Sequence, residues 1–168
     1  ELIHDGEGPP VVPHHAEDEE REDEDEVPTV TMTFKELQDF RETKFLDKDC
    51  LFCKKLKIVG ENNSVFAIKD NYPVTKGHHL IIPFRHTEDY FSMTKIERDD
   101  ATELIRVLKN KLEESDQKIT GFNIGMNSGE SAGQTIMHSH IHLIPRYKGD
   151  VDDPRGGVRG VIPSKQKY

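Results

Sequence analysis

His138, His140 and His142 stand at alternate positions in Thr135-Ile-Met-His-Ser-His-Ile-His-Leu-Ile-Pro145. On a strand, alternate side chains share one face about 6.5 to 7 Å apart, so three imidazoles would form a row, with Ser139, Ile141 and Leu143 turned the other way. A neutral imidazole near pH 7 is a nucleophile, a proton carrier and a metal ligand. Such a row could hold one small anion or one metal ion, and packing alone gives no reason to build it.

Cys50-Leu-Phe-Cys53 contains the only two cysteines. In a reducing compartment this spacing suits a zinc knuckle or a redox pair better than a structural disulfide. The redox reading needs a βαβ unit after the motif, whereas Lys54 to Glu61 runs into a Gly-Glu-Asn-Asn turn. A structural zinc takes four ligands, so two histidines must join the thiolates, with His78, His79, His86 and the row at 138, 140 and 142 as candidates. Alternatively the row is itself a catalytic His₃ zinc site, which leaves the cysteines another purpose.

The elements that must position these groups read as follows. Thr33-Phe-Lys-Glu36 has the form of a capping box opening a short helix to about Lys44. Strands are expected at Ser64 to Lys69 and His79 to Pro83, a hairpin-like pair joined by the turn-rich stretch Asp70 to Gly77. Thr94 and Glu97 form a second capping box for a helix to Ser115, with Ile96, Ala101, Leu104, Ile105, Leu108 and Leu112 on its apolar face. Gly121 to Met126 and His138 to Pro145 supply two more strands around a Gly- and Ser-rich loop, 127–133. Irregular mixing of strands and helices indicates an α+β fold with a mainly antiparallel sheet, one long helix and a shorter N-terminal helix.

Charge divides the chain. Residues 1–30 carry twelve acids and one base, nine of the acids within Glu17 to Glu26. This stretch buries too little apolar surface to offset chain entropy and reads as a disordered acidic arm: a solvated tail, an intramolecular cover or a surface for a basic protein partner. Removing its −11 from the total of −9 leaves 31–168 at +2. That body can accept a phosphate-bearing small ligand, while the whole chain is repelled by nucleic acid and anionic membranes. No window is apolar enough to span a bilayer and the first residues form no signal peptide, so cytoplasmic or nuclear residence is expected. The chain opens without Met, which leaves open a longer protein with an upstream targeting segment. Residues 146–168 read as a basic, irregular tail in which Arg155 and Arg159 could reach a polyphosphate.

Gln134-Thr-Ile-Met-His-Ser-His-Ile-His-Leu-Ile144 resembles the signature of the histidine triad superfamily of nucleotide hydrolases and transferases, with Ser139 in place of the usual apolar first spacer. Further pieces of the pattern stand at compatible spacing: Cys50-x-x-Cys53, Asp70-x-x-Pro73-x-x-x-Gly77-His78, Ile81-Ile82-Pro83 before His86, and Asn127 before Gly133-Gln134-Thr135. The resemblance spans about Thr33 to Pro145 and implies a histidine triad domain over 31–145, usually a homodimer. It implies a structural zinc on Cys50, Cys53, His86 and His138, which leaves His140 as nucleophile and His142 as phosphate donor or orienting group. It further implies that Asp70 contacts ribose, that Phe52 and Ile68 line a base pocket, and that the base is adenine. Lys55 stands where that pocket often has an apolar residue. By the same resemblance Asn127, Gln134 and Thr135 contact phosphate and leaving group, Gln134 counting with His140 and His142 as catalytic, and His78 is the additional histidine of the site. His79, on the other face of its strand, and His4, His14 and His15 carry no site role.

Chemistry then follows. A phosphate ester or anhydride repels nucleophiles, whereas a neutral imidazole can form a phosphoramidate that water later hydrolyses. A nucleotidyl-His140 releasing nucleoside monophosphate from a phosphoramidate or dinucleoside polyphosphate is the expectation. A phosphorylase or nucleotidyltransferase, a non-catalytic zinc-stabilised nucleotide-binding module and a metallohydrolase remain alternatives.

Overall fold

The structure is a computed structural model that describes residues 47–168; the acidic arm at 1–30 and the short helix expected at 33–44 lie outside the described residues. One antiparallel sheet holds β1 (Gly60–Glu61), β2 (Val65–Lys69), β3 (His79–Pro83), β4 (Ile119–Gly125) and β5 (Ile141–Tyr147) in the order β1-β2-β3-β5-β4. Helix α1 (Lys95–Ser115) covers one face. The α+β expectation therefore holds.

β2 and β3 are continuous apolar runs, and such runs mark strands buried on both sides. Val65, Ala67 and Ile81 pack with Leu143 against Met93, Ala101, Leu104 and Leu108. Phe66, Ile68, Leu80 and Ile82 point the opposite way and pack with Phe52. The short cysteine segment thus roofs the face that α1 leaves open. Truncating a buried leucine such as Leu104 to Ala costs about 2 to 5 kcal/mol.

Helix α1 starts as its sequence dictates. Thr94 Oγ1 accepts the Glu97 N–H and Glu97 Oε1 accepts the Thr94 N–H, both at 3.1 Å. Glu97 Oε1 also accepts from Arg85 Nη2 at 2.7 Å, tying the helix to the segment that carries His86. Glu97, Ala101, Leu104 and Leu108 form the buried stripe. Ile96, expected on that stripe, is 63% exposed, because the register that turns residues 97 and 101 inward turns 96 outward.

Strand boundaries differ from the expected ones by one residue at the start of β2 and the end of β4, and by more elsewhere. β1, too short to show a pattern, adds an edge through Gly60↔Ala67 and Glu61↔Phe66. β4 begins earlier than expected, at buried Ile119. β5 starts at Ile141 rather than His138, since its ladder with β3 begins at Ile81↔Ile141, and it continues to Tyr147 because Arg146 and Tyr147 pair with Gly121 and Ile119. The following tail folds into short 3-10 turns at Gly157–Val161 and Pro163–Lys165. Within it Arg155 pairs with Asp153, and Arg159 donates to the carbonyls of Lys165 and Gln166.

Candidate functional site

Sheet register builds the site on the face opposite α1. Ile68 lies across from Leu80, Leu80 across from His142, and His142 across from Gly125, a row in which paired residues share a face. A Cβ on Gly125 would meet nothing within 4 Å, so the surface beside His142 is open. The loop from Asp70 to His78 closes when the Asp70 N–H donates to the His78 carbonyl at 3.0 Å. Gly77 is required there: its φ is +87°, and a Cβ would lie 3.1 Å from Pro145 Cγ and 3.2 Å from Leu112 Cδ2. This loop brings Asp70 Oδ2 to 3.4 Å from His78 Nε2.

The three triad histidines do not share one ligand. His138 and His140 precede β5, and His138 is drawn away to the cysteines, so one row becomes two clusters. In the first, His138 Nδ1 lies 3.5 Å from both Cys50 Sγ and Cys53 Sγ, and His86 Nδ1 lies 3.3 Å from Cys53 Sγ. All four ligand atoms fall within 4.8 Å of one another. With zinc–sulfur near 2.3 Å and zinc–nitrogen near 2.0 to 2.1 Å, a tetrahedral sulfur–nitrogen edge is about 3.6 Å. The donor set therefore fits a tetrahedral cation. His138 Nε2–H donates to the Pro83 carbonyl at 2.8 Å, which leaves the Nδ1 lone pair facing the sulfurs. Burial pushes the Cys53 thiol up to about 11 and the His138 ring down to about 4. Cys53 and His138 are thus uncharged until a cation stabilises thiolate.

The second cluster is built by hydrogen bonds. His140 Nδ1 donates to the His138 carbonyl at 2.8 Å, so the neutral ring carries its lone pair on Nε2. Phe52 packs edge-on against both His138 and His140, with centroids at 5.9 and 5.2 Å. His142 Nδ1 meets His78 Nε2 at 2.9 Å, and the Val74 N–H donates to His78 Nδ1 at 3.1 Å. Burial, then the charges of His140 and His78, push the His142 pKa down to about 4; burial lowers that of His78. Both rings are neutral at pH 7.

Asp70, His78 and His142 also offer three ligand atoms within 4.8 Å of one another. Their polarity disfavours a cation, however. A ligating histidine normally donates through its other ring nitrogen, yet His78 Nδ1 accepts from Val74, so Nε2 keeps its hydrogen.

The remaining expected site residues surround these clusters. Ile68 and Phe52 are buried in the same apolar cluster. Asp70 Oδ1 accepts the Tyr72 N–H at 2.8 Å while Oδ2 faces His78. Asn127 Nδ2 donates to the Gly133 carbonyl at 3.4 Å, and Thr135 is exposed. Gln134 is buried: its amide donates to the Glu88 and Ile136 carbonyls and accepts the Gly129 N–H at 2.8 Å, holding the loop before the triad. Both amide hydrogens are engaged with backbone. His79, buried on the α1 side, bonds to the Gly77 carbonyl. Sequence reasoning missed the Val74 N–H and the Pro83 and His138 carbonyls, because backbone groups have no sequence signature.

Among the described residues no helix is long and apolar enough to cross a membrane. An uncharacterised HIT-like protein of Methanocaldococcus jannaschii is 37% identical over 108 residues, 60% of this chain and 81% of that protein. An AP-4-A phosphorylase of Mycobacterium tuberculosis is 32% identical over 100 residues, 56% of this chain and 49% of that protein. The crystal structure of a zinc-bound histidine triad family protein from Mycobacterium smegmatis matches with a TM-score of 0.56 and 30% identity, covering 61% of this chain and 78% of that one. The family model of the HIT domain matches residues 53–149, more than half of the chain, across both histidine clusters and the sheet that carries them. This chain belongs to the HIT domain family.

Proposed function

We propose that this protein is a nucleotide hydrolase that cleaves at the α-phosphate of a nucleoside phosphoramidate or dinucleoside polyphosphate. The observation that carries this reading is the bond from His140 Nδ1 to the His138 carbonyl, which aims an unprotonated Nε2 away from the backbone. That lone pair attacks the α-phosphorus, an N–P bond forms, and the bond to the leaving group breaks with its electron pair going to the leaving group, which departs as the anion of a polyphosphate or, from a phosphoramidate, as an amine that has taken a proton from solvent. Water then attacks phosphorus and gives up a proton to solvent, the N–P bond returns its pair to Nε2, and nucleoside monophosphate departs. His142, Asn127 and Thr135 stabilise the phosphate oxygens, while Asp70 keeps lone pairs for ribose hydroxyls and Phe52 and Ile68 give the base an apolar contact. Gln134 shapes the loop that presents these groups, the role its backbone bonds support.

Cys50, Cys53, His86 and His138 would hold a structural zinc, a reading supported by their spacing and by the zinc-bound relative. When bound, the metal supplies a cross-link between the roof segment and the sheet, and takes no part in the chemical steps. A homodimer is supported by β4, an edge strand with no charged residue and with Ile124 half exposed. An adenine-bearing nucleotide is the proposed substrate, in the cytoplasm or nucleus.

A second reading, phosphorolysis, is favoured by the similarity to the AP-4-A phosphorylase. There phosphate replaces water on the same intermediate. The test is the rate of nucleoside monophosphate release from adenosine 5′-phosphoramidate and diadenosine tetraphosphate, with and without inorganic phosphate. Release without phosphate supports the hydrolase. Release of nucleoside diphosphate only with phosphate supports the phosphorylase, and no release from either substrate contradicts both.

A further inference from the structure

We infer that the sheet face beside the triad carries a second nucleoside subsite, where the Arg146 guanidinium stacks the distal base of a dinucleoside polyphosphate. The inference rests on the nucleotidyl-His140 reading and commits it to that substrate class. Sheet register supplies the first premise. β5 sets His142, Ile144 and Arg146 on one face, and β4 sets Gly125, Asn123 and Gly121 against them in turn. Arg146 Nη1 donates to Asn123 Oδ1 at 2.6 Å, which holds both side chains on that face. Glycine at 121 and 125 leaves β4 bare on either side of Asn123: a Cβ at 125 would meet nothing within 4 Å, and one at 121 only Arg146 Cβ, at 3.9 Å. A flat floor therefore runs from His142 to Arg146.

The C-terminal segment walls this floor. Gly156 has a φ of +83°, and a Cβ there would lie 1.8 Å from the Gln166 carbonyl oxygen, so glycine alone permits the turn that brings Gly157 beside Asn123. Arg159 Nη2 and Gln166 Nε2 tie the turn by donating to the carbonyls of Lys165 and Arg155 at 3.0 and 3.3 Å. Between the turn and the two strands lies a cavity of about 670 Å³, lined by Gly121, Asn123, Arg146, Asp150, Pro154 and Gly157 among others. That is the size of a small-ligand site. Its chemistry suits an uncharged, flat group. Arg146 Nε and Nη2 donate to the two Asp150 carboxylate oxygens at 2.7 and 2.8 Å, so the charges of the pair cancel. A guanidinium donates in its own plane, and what the partly exposed Arg146 has left to offer is a face, the surface on which bases stack. Four residues of strand separate Arg146 from His142, about 13 Å at about 3.3 Å per residue. A base reaches that far from an α-phosphorus at His140 only on a bridge of several phosphates, whereas the amine of a phosphoramidate stops short.

Calorimetric titration of the full chain carrying His140→Ala, which suppresses turnover, compares diadenosine tetraphosphate with adenosine 5′-tetraphosphate, which lacks only the second nucleoside. Stacking of one base predicts roughly tenfold tighter binding of the first. Equal affinity, or no binding of either, would overturn the inference. Two further substitutions, folding checked by circular dichroism, locate the preference. Gly121→Leu fills the floor of the cavity and leaves the Arg146 bonds in place, whereas Arg146→Lys keeps a charge beside Asp150 and loses the flat face. Each should abolish the preference; its survival in Gly121→Leu would overturn the subsite, and its survival in Arg146→Lys the stacking. With His140 intact, each should raise KM roughly tenfold for diadenosine tetraphosphate and far less for adenosine 5′-phosphoramidate. Equal rises on both substrates would overturn the subsite. Absence of turnover in the native chain would instead sink the hydrolase and phosphorylase readings, with the titrations still deciding the subsite.

Discussion

The two histidine clusters share a residue type and neighbouring stretches of chain, yet hydrogen-bond direction prepares them for opposite work. At His138 the outer ring nitrogen donates to a carbonyl, so the inner nitrogen presents a lone pair to two sulfurs. At His78 the outer nitrogen accepts from an amide, so the inner nitrogen presents a hydrogen to another imidazole. The first polarity suits a cation and the second suits an anionic phosphate. Backbone groups two residues or more away from these rings decide whether each ring presents a lone pair or a hydrogen.

The largest effect should separate the clusters by stability. On the proposed structural-zinc reading, Cys53→Ser, or chelation of the native chain, removes a cross-link between the roof and the segments that flank the sheet. A loss of several kcal/mol, roughly 10 °C or more in Tm, is expected by calorimetry. His78→Gln should leave the metal content measured by atomic absorption unchanged, and a fall in bound metal would break the division between the clusters.

Next in size is His140→Ala. On the proposed nucleotidyl-His140 reading, its loss should lower the release of nucleoside monophosphate by roughly 10³-fold or more, with metal content and thermal midpoint close to native. A variant that lost metal as well would show that His140 belongs to the first cluster.

Gln134→Leu sharpens the comparison in another way. It leaves the Glu88 and Ile136 carbonyls and the Gly129 N–H without their partner, at about 1 to 3 kcal/mol for a buried unsatisfied group. Urea denaturation should report this loss. A stability unchanged from native would remove Gln134 as the brace of the loop.

The smallest expected effect is a pH slope. His142 titrates at about 4 in the folded chain against an ordinary value of 6.5. Between these values the unfolded chain binds more protons, so this contribution to stability is complete above 6.5 and is lost as pH falls towards 4. The contrast is therefore native against His142→Gln, whose denaturation midpoint should fall less steeply across the same window.

Much of the sheet was readable because burial on both faces writes continuous apolar runs at Val65 to Ile68 and Leu80 to Ile82. The helix was readable because Thr94 and Glu97 form a local box that needs no tertiary partner. The two-residue β1 was not, since no period fits two residues, and Ile96 shows that one apolar residue at a helix start carries no facing information. At the site, the chain brings together Cys50, Cys53, His86 and His138, the four residues that the resemblance grouped. The strand-like alternation of His138, His140 and His142 misled on their grouping, because the β5 ladder starts only at Ile141. Tautomers were invisible, being set by the Val74 amide and the Pro83 and His138 carbonyls.

The most direct test of the central claim is mass spectrometry of the full chain quenched during turnover of adenosine 5′-phosphoramidate. The account predicts a single added nucleotidyl group on the peptide containing His140, absent from His140→Ala. No adduct during demonstrable turnover, or an adduct that persists in His140→Ala, would contradict it.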